Sequence, residues 1–246
     1  ALGSNIANVG LVLGVTLLFS SITLGRDTTW IDLPVLILVV LVIWFLLYDR
    51  ELSRSDSFVL LGMLALFFVR VAQLARNSND DIEAHEIPTL TLPLAWLSFL
   101  GGLALLIASS RTLVWAASHI ATELGVSELV IGLTIVAVGT SLPELAASVM
   151  SALKGHADMA VGAIVGSNMF NILLVLAIPG LWGSLSLQTA VITRDMFAVF
   201  LTTLVLALAA LWRWNGASGS STLGRGTGLL LLSLYTAYYG WLFLVP

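Results

Sequence analysis

The chain has 246 residues, a net charge of −4, 59% hydrophobic and 10% charged residues, and a mean hydropathy of +1.03. Soluble domains carry about 25% charged residues, so this balance excludes a water-soluble globule and places the chain in lipid. The absence of Cys removes disulfides, thiolate metal sites and thiol catalysis, and no basic patch points to nucleic acid.

Six stretches, 1–25, 33–48, 87–110, 159–193, 196–212 and 226–246, contain no Asp, Glu, Lys or Arg. A helix crosses the hydrocarbon core with about 20 apolar residues. Spanning strands would show roughly ten-residue alternation, which is absent. In chain order the hydropathy predicts eight spans, at about 3–24, 32–49, 57–76, 92–118, 128–153, 158–179, 190–213 and 226–244. The first opens on ALGSNIANVGLVLG; it lacks a positive leader and a cleavage pattern and is not a signal peptide. Thr16, like Thr202 in the seventh span, is expected to bond a carbonyl one turn back. Arg70, inside the third span, is expected to snorkel to the nearer interface. NDDIEAHE (79–86) lacks EF-hand ligand spacing and reads as a solvated linker. Arg111, in the fourth span, has no evident place. Glu128, after Ser127, reads as a helix N-terminal charge.

A repeat organises these spans. ALGSNIANVGLVLG aligns with IVGSNMFNILLVLA (164–177) at an offset of 163, so Gly3, Ser4, Asn5 and Asn8 match Gly166, Ser167, Asn168 and Asn171. At the same offset Asp32 matches Asp195 and Arg50 matches Arg213; after an insertion, Arg54 matches Arg225. The copies lie on spans one and six, an odd separation, so they cross the membrane in opposite directions. Inverted repeats with polar residues in discontinuous helices mark secondary transporters. Two spans precede the second copy and none precedes the first. The expectation is therefore an N-terminally truncated remainder of a ten-helix protein, with a gap beside its first helix. The expected division is 1–76 (three helices of the first repeat), 77–91 (inter-repeat loop) and 92–246 (five helices of the second repeat).

Residues 137–171 carry the chemistry. Glu144 lies inside an apolar span, where a carboxylate is a functional candidate by default. Pro143 removes a backbone hydrogen bond and is expected to kink the helix, freeing carbonyls near Gly139 and Thr140. Thr140, Ser141, Glu144 and Ser148 share one helical face. With His156 at the hairpin tip, Glu144 and Asn168 lie at equal depth, about 18 Å in. Ser167, Asn168 and Asn171 thus meet Thr140, Ser141 and Glu144 near the midplane. All are hard oxygen donors, suited to Na⁺ or Ca²⁺.

GTSLPEL followed by GSNxFN resembles the second α-repeat of the cation/Ca²⁺ exchanger family, and GSNIAN resembles the tail of its first. The similarity runs over essentially the whole chain and is greatest to the bacterial sodium/calcium exchanger branch; the proton/calcium branch typically carries a GNAxEH-type motif. The resemblance implies an all-α inverted-repeat membrane fold and an electrogenic Na⁺/Ca²⁺ antiporter working by alternating access. It implies Glu144 as the acidic ligand, with oxygens from Thr140, Ser141, the Ala137 carbonyl, Ser167 and Asn171. Ser4 and Asn8 contribute from the first repeat, with Asn5 and Asn168 beside them. Asn171 stands where potassium-dependent members carry Asp, which argues against potassium co-transport. Na⁺ and Ca²⁺ are cargo, so no cofactor is implied, and the truncated chain is expected to be transport-impaired.

Other readings are a proton- or potassium-coupled exchanger of the same fold, an inactive assembly fragment, and an intramembrane enzyme using Ser141 with Glu144. The last lacks a positioned base. Arg26, Arg70, Arg76, Lys154, Arg213 and Arg225 against Arg50, Arg54, Arg194 and Arg111 orient the C-terminus outside a bacterial inner membrane. Oligomeric state is not encoded in any pattern found.

Overall fold

A backbone that cannot bond water must satisfy itself, and in lipid the local solution is a helix. The computed structural model describes residues 1–77, 91–126, 128–154 and 157–244. Its long helices are α1 (Leu2–Phe19), α2 (Thr28–Asp49), α3 (Arg54–Asn77), α4 (Leu92–Glu123), α5 (Gly132–Leu153), α6 (Ala160–Trp182), α7 (Val191–Trp212) and α8 (Arg225–Leu244). Seven of them, α1 to α7, are long and apolar enough to cross a membrane. α8 has 20 residues, but Thr, Ser and three tyrosines interrupt its aliphatic run, and it is not one of the seven. The linker 79–86 and the hairpin tip at His156 lie outside the described residues.

The expected first span runs too far. α1 stops at Phe19, Ser20 is extended (φ −145°, ψ 144°), and Ile22–Leu24 form a short strand, β1. Four more strands follow: β2 (Glu51–Leu52), β3 (Leu185–Ser186), β4 (Trp214–Asn215) and β5 (Ser220–Leu223). They pair the two repeats at both ends of the helices. β2 lies antiparallel to β3, Glu51 opposite Ser186, and the Leu187 amide donates to the Arg50 carbonyl at 2.8 Å. At the other end the order is β1-β5-β4, with Ile22 opposite Leu223 and Trp214 opposite Ser221. Those strand pairs fasten one half of the molecule to the other on each face.

Local signals fix the element ends. Ser53 and Asp56 form a reciprocal capping box at the head of α3: the Ser53 amide donates to Asp56 Oδ2 at 2.8 Å, and the Asp56 amide to Ser53 Oγ at 3.2 Å. α4 ends in a Schellman turn at Gly125 (φ 79°), where Val126 N–H reaches the Ala121 carbonyl at 3.0 Å. Thr16 and Thr202 bond Val12 and Ala198 carbonyls one turn back, as expected.

The helices contain wide π-turns at Asn8–Leu13, Thr28–Asp32, Gly132–Val136, Asn171–Val175 and Val191–Asp195. The first two recur as the last two at the offset of 163, so the repeat extends to backbone irregularities that residue patterning does not display. α1 is the central helix: 72% of its residues are buried, whereas in the peripheral α4 only Ala121 is buried among the described residues. Ile6, Leu13 and Leu17 of α1, Ile164 and Ile172 of α6 and Leu206 of α7 belong to the core that surrounds the polar centre.

Candidate functional site

α1 and α6 cross at their GSN motifs, and α5 runs alongside. Asn5 Nδ2 donates to the Asn168 carbonyl at 3.2 Å. Around that contact stand two equivalent bonds: Asn8 Nδ2 to Asn168 Oδ1 and Asn171 Nδ2 to Asn5 Oδ1, both 3.0 Å. Each bond maps onto the other when a residue is exchanged for its repeat counterpart. The pseudo-two-fold relation between the halves therefore passes through Asn5 and Asn168, both almost fully buried.

The amide groups divide by role. Asn5 and Asn168 each accept through their side-chain oxygen and lock the crossing. Asn8 and Asn171 donate with their NH₂ groups, which turns their oxygens elsewhere. Asn8 Oδ1 is buried without a hydrogen-bond partner. Asn171 faces a cavity of about 580 Å³ beside α1, lined also by Ser4, Ala137, Thr140, Asp195 and the exposed Glu128.

α5 supplies the remaining groups. Ser167 Oγ donates to Glu144 Oε1 at 3.0 Å, as equal depth on the hairpin requires. Glu144 Oε2 is buried and unpartnered, as is Ser148 Oγ one turn on. Ser4 Oγ meets Thr140 Oγ1 at 2.8 Å, Thr140 also donates to the Ala137 carbonyl at 3.0 Å, and Ser141 Oγ reaches the Ser4 carbonyl at 3.5 Å. All ten residues singled out in the sequence are thus brought into one constellation. A buried acceptor left without a donor costs about 1–3 kcal/mol. Two such oxygens, Asn8 Oδ1 and Glu144 Oε2, stand in this polar cluster, one of them on a carboxylate.

Pro143 stands inside a helix that runs over Ala137–Leu153. The carbonyl it frees, Gly139, accepts from Ser110 Oγ of α4; α4 comes that close because Gly139 has no side chain to meet Val114. Arg70 does not simply snorkel: it pairs with Asp32 at 3.0 Å. Arg194 is 3% exposed and bonded to Asp195 at 2.8 Å, with Tyr238 donating to the same carboxylate oxygen at 3.1 Å. Arg111 is exposed on α4, beside a cavity shared with Ser110, Gly139 and Thr140.

Sequence reading missed Asp195, Tyr238 and Ser110. The matching of Asp32 with Asp195 was the available signal for the first; nothing in spacing signalled the others, whose partners are remote in the chain.

Comparison with known proteins follows the same geometry. The sodium/calcium exchanger protein family matches residues 1–72 and 94–244. The putative antiporter CaxA of Alkalimonas amylolytica is 39% identical over 249 residues, covering 99% of this chain and 77% of that protein. The inner membrane protein YrbG of Escherichia coli is 36% identical over 253 residues, covering 99% and 75%. A solved structure of the sodium-calcium exchanger NCX_Mj, soaked with Na⁺ and Sr²⁺, superposes with a TM-score of 0.76 at 30% identity, covering 97% of this chain and 74% of that one.

Proposed function

The chain belongs to the sodium/calcium exchanger protein family, and from that premise we propose that it exchanges Na⁺ for Ca²⁺ by alternating access at the α1–α5–α6 crossing. It is an integral membrane cation/Ca²⁺ antiporter and not an enzyme; the ions are its cargo, and no cofactor is called for.

The observation that carries the site assignment is the pair of buried, unpartnered oxygens, Glu144 Oε2 and Asn8 Oδ1. In this reading Glu144 supplies the charge. Asn8, Asn171, Ser4, Thr140, Ser141, Ser167 and the Ala137 carbonyl supply neutral oxygens, while Asn5 and Asn168 hold the frame. One carboxylate among ten ligand candidates balances one Na⁺ fully and one Ca²⁺ by half, so ion identity changes the residual charge at the crossing. Hard oxygen donors without imidazole or thiolate suit both ions. Na⁺ as the coupling ion is supported by the family and by the NCX_Mj likeness; the neutral Asn171 argues against potassium.

We assign residues 1–76 to one half and 92–246 to the other, joined through 77–91, with the strand pairs fastening them. Arg26, Lys154, Arg213 and Arg225 flank the end that carries β1, β4 and β5, which the positive-inside bias makes cytoplasmic. The C-terminus of α8 then faces outward across a bacterial inner membrane, in keeping with the likeness to YrbG.

The test is Ca²⁺ uptake driven by a Na⁺ gradient in proteoliposomes, with Glu144→Gln as the decisive variant. Removing the charge abolishes uptake; undiminished uptake sinks the site assignment. Uptake indifferent to Na⁺ but responsive to pH transfers the coupling role to protons.

A further inference from the structure

The tyrosines of α8 reach the ligand helices from behind. Tyr239 donates its hydroxyl to the Leu133 carbonyl at 2.8 Å, and Tyr235 donates to the Tyr239 hydroxyl at 3.2 Å. Their half-buried rings meet edge to face, centroids 4.7 Å apart. Leu133 lies inside the wide turn Gly132–Val136, directly ahead of Ala137. A wide turn interrupts the regular ladder and leaves carbonyls to be satisfied from outside the helix. In a membrane no water does this. For Leu133 the donor is Tyr239.

The same stretch of α5 is in contact with α1. A Cβ on Gly3 would stand 3.4 Å from the Leu133 carbonyl oxygen and 2.8 Å from the Ala137 Cβ. One turn further along, the Ala137 carbonyl accepts from Thr140, whose hydroxyl meets Ser4. Tyr235 touches α1 as well: a Cβ on Gly10, within the wide turn that starts at Asn8, would stand 2.8 Å from the Tyr235 Cβ. The tyrosine pair therefore contacts both helices, Tyr239 through its hydroxyl on α5 and Tyr235 through its Cβ and ring on α1.

We propose that Tyr239 is a positioning residue of the transport site. By holding the Leu133 carbonyl it sets the register of the wide turn in α5, and with it the placement of the Ala137 and Thr140 oxygens. The inference rests on the cation site proposed above. Tyr238 supplies the contrast, because its hydroxyl goes to Asp195 on α7 and not to α5.

The experiment measures Na⁺-driven uptake as a function of Ca²⁺ concentration for the reconstituted protein and for Tyr239→Phe, Tyr238→Phe, Tyr235→Phe and Glu144→Gln. Tyr239→Phe keeps the ring and removes one hydrogen bond, so KM for Ca²⁺ rises roughly five- to tenfold. Its maximal rate stays within about twofold, as befits a change in ion binding alone. Tyr238→Phe leaves KM unchanged, and Tyr235→Phe, which spares the bond to Leu133, raises KM by less. An unchanged KM in Tyr239→Phe, an equal rise in Tyr238→Phe, or a fall in rate without a change in KM overturns the proposal. Should Tyr239→Phe fail to fold, Tyr235→Phe decides, and no rise in its KM counts against the brace. Uptake surviving in Glu144→Gln defeats the site itself, whereas its loss beside a wild-type Tyr239→Phe defeats only the positioning role.

Discussion

The two halves carry the same aspartate and neutralise it differently. In the first, Asp32 on α2 meets Arg70 on α3, a pair about 30% exposed. In the second, Asp195 on α7 is bound by its own neighbour Arg194 and by Tyr238 on α8, with almost no exposure. The connections diverge too. Eight additional residues between Arg213 and Arg225 supply β5, which lies between β1 and β4, while β2 and β3 pair directly at the opposite end. At the crossing, by contrast, the Asn5–Asn171 and Asn8–Asn168 bonds are equal in length. Symmetry is kept where the two GSN motifs cross and relaxed where each half meets its own surroundings.

The sharpest way to break the likeness is at the aspartates. Asp195→Asn removes a buried carboxylate that accepts from both Arg194 and Tyr238 and is expected to cost about 3–5 kcal/mol. Asp32→Asn, in a pair about 30% exposed, is expected to cost about 1 kcal/mol or less. Thermal unfolding of the two variants in detergent checks this, and equal losses would mean that the two pairs are equivalent after all.

A smaller effect comes from the helix crossings. α1 packs on α8 through Gly10 and Gly14, whose counterparts in α6 are Leu173 and Ala177. Gly10→Leu imports the counterpart residue into a space already filled by Tyr235, and overpacking of this kind costs about 1–3 kcal/mol. Unfolding temperature reads the loss, and uptake kinetics should show a raised KM for Ca²⁺, because Tyr235 supports the Tyr239 hydroxyl.

The smallest effect concerns the heads of α3 and α8. Only α3 has the Ser53–Asp56 capping box; α8 begins after Gly224. Ser53→Ala is expected to cost about 1 kcal/mol, visible as a modest drop in unfolding temperature with uptake unaffected. A loss of transport in Ser53→Ala would instead give this end of the molecule a part in the cycle.

Much of this protein was legible in its residues. Hydropathy located α1 to α7, since lipid demands continuous apolar runs, but ran the first span past its end at Phe19. The doubled GSN motif and the equal depth of Glu144 and Asn168 pointed to nine of the ten candidate residues, and the family resemblance added the Ala137 carbonyl. Covalent spacing on a rigid helix sets depth without help from the rest of the fold. Tertiary structure alone decided which side-chain atoms face one another: that Asn5 and Asn168 bond each other while Asn8 Oδ1 and Glu144 Oε2 stay free, and that Ser110 takes the carbonyl released by Pro143. It also decided that Arg70 and Arg194 are paired within the bundle and that Tyr239 braces Leu133. Such contacts join residues dozens to hundreds of positions apart, and hydrogen bonds are won or lost over a few tenths of an ångström. Periodicity along one helix carries no information on that scale about its neighbour.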